Sequence, residues 1–440
     1  MQITTMGLPV IPLGIILFIF KYEWLLYLTI FFSGFTGSSI LNIASISVQP
    51  AYYLFILFII RYIFVIIRRG KIVKPNRDLF IFIIIAFLSL IMPVLLDGKN
   101  VIVLNPDDYY APVTLTYQNI TQYLYLLFGF FSYWVTKNYL IKFESKKYIK
   151  FIKIFLYSGL IISILGIYQQ IAYKMGLPFD EIFRQGVHGN IQPYGSFIRV
   201  YSVFIEPSMY SIFIILSIIL CIYVPQDMFK YKNILLFLLL INGIMSTSST
   251  FFIGILIIGI VLGIDSIKVK YSYQDREFNK YILLILLMVV FSILLIICIN
   301  PNIISSMLQG MESKLKGDGI SANARSVAFN TNVAVAFKYP LFGVGFGSVR
   351  SYDLISTWLA SVGFIGVLVF IVFLVKNIIN LLKIKNNSNL FYIYKGYTIG
   401  ISTIFILMFI SVPEPYGLFI WISIALLEIT LINLKKINNF

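Results

Sequence analysis

The sequence is poor in the residues on which most soluble enzymes depend. Only 12% of its 440 residues are charged, where a soluble globular domain carries about 25%. There is one histidine, and there are two cysteines. Cys221 and Cys298 both lie in apolar runs, make neither a zinc-ligand spacing nor a disulfide framework, and assign no redox compartment. No basic n-region precedes the first apolar run, so no cleavable signal is expected. No internal repeat of useful length is visible. The chain is instead dominated by apolar side chains, which make up 59% of it. That balance excludes an ordinary soluble enzyme, a disordered chain and a secreted disulfide scaffold.

Apolar runs of about 17–25 residues read as membrane helices. The sequence predicts about twelve or thirteen, at Gly7–Phe20, Trp24–Ile43, Pro50–Ile67, Leu79–Leu96, Asn119–Val135 and Phe151–Tyr173. The series continues at Pro207–Val224, Asn233–Met245, Phe251–Ile264, Tyr281–Ile299, Thr357–Val375, Tyr392–Val412 and Gly417–Asn433. The expected fold is an all-α, polytopic membrane protein, a single membrane domain over residues 1–440.

The basic residues divide the loops into two sets. Of 34, 24 fall in alternate, short loops, and nine fall in the others. The positive-inside rule makes the lysine-rich set cytoplasmic, including the C-terminal Lys435 and Lys436. Against those 24 stand seven acids, whereas the opposite face sets ten acids against its nine bases. The net charge of +16 is therefore an orientation signal and a match to anionic lipid. It does not call for nucleic acid, because no basic module interleaved with aromatics exists.

The near-neutral outer face carries the long segments, at 97–118, 174–206 and 300–356. Loops beyond about 12–15 residues are usually functional or disordered, and these hold turn formers, aromatics and sparse charge. The middle one ends Arg199-Val-Tyr201-Ser202-Val-Phe204-Ile-Glu206-Pro207-Ser208. Pro207 suits the first turn of a helix, which leaves Glu206 at the positive end of its dipole. The pair reads either as a cap with an interfacial salt bridge or as a site holding an anion and a carboxylate. In the last loop, Ala328, Phe329, Asn332, Val333 and Ala336 have the spacing of an amphipathic helix, stopped by Tyr339-Pro340. The following Gly343-Val-Gly345-Phe-Gly347 lacks the strand and helix of a dinucleotide site and reads as a turn with close backbone approach. Gly363-x-x-Gly366 in the next span predicts tight helix packing. Two short spans meet at a polar apex, Ser246-Thr247-Ser248-Ser249-Thr250.

Arg199-x6-Glu206-Pro207-Ser208, the Ser246–Thr250 apex, Asn323-Ala-Arg325, Pro340-Leu-Phe-Gly343-Val-Gly345-Phe-Gly347, and Thr357-Trp358 with Gly363-x-x-Gly366 occur in that order. The ordered set, with the many spans and the large late loop, resembles the O-antigen polymerase family over most of the chain. The related O-antigen ligases carry a histidine ahead of the Gly-x-x-Gly span. Here that stretch reads Ser356-Thr357-Trp358, and the lone His188 sits in another loop, which favours polymerase over ligase.

The resemblance implies a glycosyltransferase of the C-type, multi-span class in the bacterial inner membrane, with its site facing the periplasm or cell exterior. It would transfer a growing glycan from undecaprenyl pyrophosphate to the non-reducing end of the next lipid-linked repeat unit, without cofactor or metal. A chain-length regulator and a flippase would be its partners. Departure of a pyrophosphate favours fixed cations with bidentate reach, which makes Arg199 and Arg325 the first candidates. Arg350, Lys338 and Arg184 follow. Glu206 is expected either to accept the acceptor's proton or to orient Arg199. Tyr194, Tyr201 and Tyr352 can stack on sugars, and Ser249 and Thr250 can bind them. Arg61 and Glu428, both within spans, read as structural; Glu414, on an outer turn between Pro413 and Pro415, reads either as lining the site or as a plain turn residue, the turn being preferred. The rival readings are a ligase with another acceptor and a lipid-linked oligosaccharide flippase.

Overall fold

The computed structural model describes residues 2–43, 46–69, 72–142, 145–186, 193–194, 197–268, 320–384 and 388–437. The expected span Tyr281–Ile299, His188, Cys298 and the first part of the 300–356 loop lie outside the described residues. The chain is mostly helical. Among the described residues, five helical stretches are long and apolar enough to cross a membrane: Arg77–Leu96, Tyr148–Met175, Leu354–Lys383, Asn389–Ser411 and Leu418–Ile437. Shorter apolar helices pack among them.

In chain order the helices are α1 (Gly7–Phe20), α2 (Glu23–Phe32), α3 (Pro50–Arg69), α4 (Arg77–Ser89), α5 (Met92–Leu96), α6 (Tyr117–Leu140), α7 (Ser145–Met175) and α8 (Asp180–Phe183). Then come α9 (Pro207–Tyr223), α10 (Lys232–Met245), α11 (Ser249–Lys268), α12 (Ile320–Lys338), α13 (Leu354–Lys383), α14 (Asn389–Ser411) and α15 (Leu418–Ile437). Their starts follow local chemistry. Asn76 caps α4 by accepting from the amides of Asp78 and Leu79. Asp353 caps α13 by accepting from the Ser356 amide at 2.7 Å. Pro207 opens α9 where its missing N–H costs nothing.

Helix α9 is the central column, buried around nearly its whole circumference against α7, α10, α11 and α14. A helix apolar on every side belongs inside, and its sequence has no polar stripe to contradict that. Helix α15, nearly as buried, packs on α6 and α14, and α13 packs on α4, α12 and α14. Aromatic contacts tie the layers, as where Trp358 meets Phe82 and Phe370 at 4.8 and 4.9 Å between ring centroids.

The fold is mostly helical, as expected, and three small antiparallel sheets lie among the described residues. They are β1 (Gln2–Ile3), β2 (Leu41–Ile43) and β3 (Ile46–Val48); β4 (Ile102–Leu104) with β5 (Tyr110–Pro112); and β6 (Pro193–Tyr194) with β7 (Phe197–Ile198). The expected Trp24–Ile43 span ends at Phe32. Gly37 leaves the helix to donate to the Val203 carbonyl at 2.8 Å, and a Cβ there would meet the Phe204 carbonyl oxygen at 2.8 Å. Helix and β2 are thus separated by a glycine that must approach the segment ahead of α9. The expected Leu79–Leu96 span, by contrast, is present as the helical stretch Arg77–Leu96, with a local turn between α4 and α5 ahead of Pro93.

Gly363 does more than permit packing. It interrupts α13 at φ 70°, ψ −178°. The glycine-rich loop seats against this break: Val344 and Gly345 amides donate to the Ala360 and Ser361 carbonyls at 2.7 and 3.1 Å, and Phe364 donates to Pro340 at 2.8 Å. A Cβ on Gly363 would fall 2.3 Å from the Leu341 carbonyl oxygen. Gly363→Ala is therefore expected to destabilise the protein by about 1–3 kcal/mol from backbone strain, and by more from overlap. A thermal melt of purified protein checks this, and a midpoint equal to wild type would contradict the assigned geometry.

The helices place the lysine-rich segments and the lysine-poor segments at opposite ends. At the lysine-rich end Asp78 pairs with Lys376 at 2.6 Å, Glu428 with Lys137 at 2.8 Å and Asp265 with Lys395 at 2.7 Å. Glu428 is therefore a buried structural partner, as expected of it, while Arg61 is exposed on α3.

Candidate functional site

At the lysine-poor end, the loop before α13, the β4–β5 hairpin, the start of α6 and the turn between α14 and α15 enclose a cleft. Arg350, Glu414, Gln122, Tyr416, Thr357 and Trp358 line it, with about 60 Å³ of free space. Arg350 is fixed on both sides. Its amide donates to Leu104 at 2.8 Å, and its Nη1 donates to the Pro106 carbonyl at 3.3 Å. Its buried Nε has no hydrogen-bond partner among the described residues. A guanidinium held by one nitrogen, with another donor unspent, is suited to an anionic ligand.

Glu414 faces Arg350 from the Pro413-Glu414-Pro415 turn. That turn is held from three directions: Trp421 Nε1 donates to the Pro415 carbonyl at 2.8 Å, Tyr52 Oη donates to the Tyr416 carbonyl at 2.9 Å, and Tyr416 Oη donates to Gln122. Burial pushes the Glu414 carboxyl above the usual carboxylate range. The Arg350 charge opposes that rise, and the Glu206 charge adds to it.

Beside the cleft, across Trp358 and Phe409, runs a more open groove of about 390 Å³. Arg325, Ser326, Tyr352 and Asp353 form its polar side; Phe329, Ile355, Phe409 and Ile410 form its apolar side. The Arg325 guanidinium lies over the Tyr352 ring at 5.2 Å. The spacing expected of an amphipathic helix appears as α12, whose Ala328, Asn332, Val335 and Ala336 are buried. Phe329, expected on the same face, is instead exposed and lines the groove.

The other expected residues disperse around these cavities. Arg199 is half-buried, and its Nε donates to the Ser246 carbonyl at 3.2 Å and to Thr247 Oγ1 at 3.0 Å. It ties the segment ahead of α9 to the polar apex, where Thr250 donates to Ser411 at 2.8 Å and Ser249 is exposed. Glu206 is exposed at the start of α9 and accepts from Ser208 at 3.2 Å. Arg184 is buried, ion-paired to Asp180 at 3.0 Å and stacked 4.1 Å above the ring of Tyr201, itself buried. Lys338 is exposed beside the Tyr339 ring at 5.7 Å. Tyr194 lies on β6.

Two residues that the sequence placed lower line the cleft together. Arg350 stands behind Arg199 and Arg325 among the sequence candidates. Glu414 read as a turn residue, although a carboxylate locked between two prolines at the end of a span was the available signal. No protein-family model, curated protein or solved structure matches the chain.

Proposed function

We propose that the protein is a membrane glycosyltransferase that polymerises lipid-linked oligosaccharide repeat units. It moves a growing glycan from undecaprenyl pyrophosphate to the non-reducing end of the next unit, in a multi-pass inner-membrane protein of about twelve or thirteen spans. The lysine-poor end faces the periplasm or cell exterior, and the polyprenyl chain approaches sideways from the bilayer.

One observation carries this reading: a cationic, half-apolar groove adjoins a cleft that holds an arginine and a carboxylate together. The groove suits a ligand with a hydrocarbon tail and a pyrophosphate. Phe329, Ile355, Phe409 and Ile410 would take the proximal isoprene units and Arg325 the phosphates. The cleft suits the reacting sugars, with Arg350 stabilising charge as it develops on the departing pyrophosphate.

Arg325→Ala is expected to weaken binding of the lipid-linked donor roughly ten- to hundredfold, the worth of one charged hydrogen-bonding group. Titration of purified protein with labelled donor checks this; unchanged affinity would remove the groove from the account. The function itself is tested by incubating purified protein with lipid-linked repeat units. A ladder of longer glycans is the expected product. Transport of intact units across a liposome with no extension would instead identify a flippase, and transfer to a different acceptor would identify a ligase.

A further inference from the structure

We propose that Glu414 is the catalytic base of this transfer, a role that rests on the polymerase reading above. Its carboxylate takes the proton of the acceptor hydroxyl as that oxygen attacks the donor's anomeric carbon. The bond from that carbon to the pyrophosphate oxygen breaks, and the electron pair leaves with undecaprenyl pyrophosphate. The proton remains on Glu414 until solvent removes it. Electrons and atoms balance without any co-reactant.

Glu414 suits the role better than Glu206 on three counts. It lines the cleft, whereas Glu206 is exposed outside it. Among the described residues no hydrogen bond or ion pair occupies its carboxylate oxygens, whereas Glu206 accepts from Ser208. Third, burial and the neighbouring Glu206 charge raise the proton affinity of Glu414. The flanking prolines and the Trp421, Tyr52 and Tyr416 hydrogen bonds fix the carboxylate's position without spending its lone pairs.

The charged and titratable groups around Glu414 are Arg350 from the loop before α13, Glu206 from the start of α9, Tyr416 from the same turn, Tyr52 from α3 and Tyr125 from α6. The base must be deprotonated to act. Chain extension should therefore fall as pH drops through the raised Glu414 value, giving an acidic limb above the ordinary glutamate range. Removing the Glu206 charge with Glu206→Gln should move that limb to lower pH, whatever it does to the maximal rate.

The experiment measures the extension rate against pH for purified wild type, Glu414→Gln, Glu414→Asp and Glu206→Gln, with donor affinity measured in parallel. Glu414→Gln should lose about 10²–10⁴-fold in rate with donor affinity kept. Glu414→Asp should retain part of the rate and an acidic limb. Glu414→Gln that extends like wild type, or that loses donor affinity in step with rate, overturns the assignment. A Glu206→Gln limb that does not move also overturns it. A wild type that extends nothing sinks the polymerase reading itself, whereas extension by wild type and Glu414→Gln alike sinks only the base.

Discussion

Replacing Lys137 with methionine is expected to destabilise the protein by about 3–5 kcal/mol, the cost of leaving a buried charge without its partner. Lys137 and Glu428 lie 2.8 Å apart, with only 7% and 8% of their side chains exposed. Glu428 also accepts from Tyr133 Oη at 2.5 Å and from Asn76 Nδ2 at 2.6 Å. Those two neutral donors do not balance a full charge in an apolar helix bundle. The loss should be asymmetric. With Glu428→Gln the lysine remains buried but still donates to the Lys74 carbonyl at 3.2 Å and reaches Tyr133 Oη at 3.4 Å. Glu428→Gln should therefore be milder, and the double variant Lys137→Met with Glu428→Leu should regain most of the loss, because a buried pair is replaced by apolar volume. Melting of the three purified variants in detergent measures this. A single Lys137→Met variant as stable as wild type would contradict the placement of α6 against α15.

The second large effect is on activity. Arg350→Ala should slow chain extension by about 10²–10³-fold, the loss seen when one fixed donor to a developing negative charge is removed. Fold should survive, because the backbone bond from the Arg350 amide to Leu104 and the one from Asn332 Nδ2 to the Arg350 carbonyl at 3.2 Å do not need the side chain. Arg350→Lys should recover only part of the rate, since a lysine lacks the planar fork that reaches two oxygens at once. Product ladders at matched membrane abundance check both variants. Wild-type chain lengths from Arg350→Ala would remove the cleft as the reacting centre.

How much of this was legible in the sequence depended on whether a feature was local. Pro207 and the long apolar run after it specify α9, and Tyr339-Pro340 specifies the end of α12, because each signal sits within one turn of its effect. Trp24–Ile43 misled because hydropathy is blind to Gly37, whose backbone must touch residues 203 and 204. The break at Gly363 was similarly hidden: a glycine in an apolar run looks the same whether it packs a neighbour or turns the chain at positive φ. For the site, the near-neutral face directed attention to a few cations, but which of them meet a carboxylate was a matter of tertiary contact. Arg199 and Glu206 are near in sequence, yet Arg199 spends its Nε on the Ser246–Thr247 apex. Arg350 and Glu414 are 64 residues apart, and only the packing of α13 and α14 brings them to one cleft.

The most direct measurement of the central claim is sided extension in proteoliposomes. Protein is inserted in one known orientation, lipid-linked repeat units are supplied to one face at a time, and product length is read from each. The account predicts a ladder of longer glycans only when substrate meets the lysine-poor face that carries Arg350 and Glu414. Extension from the lysine-rich face alone, or unit-length product from both faces, would contradict it.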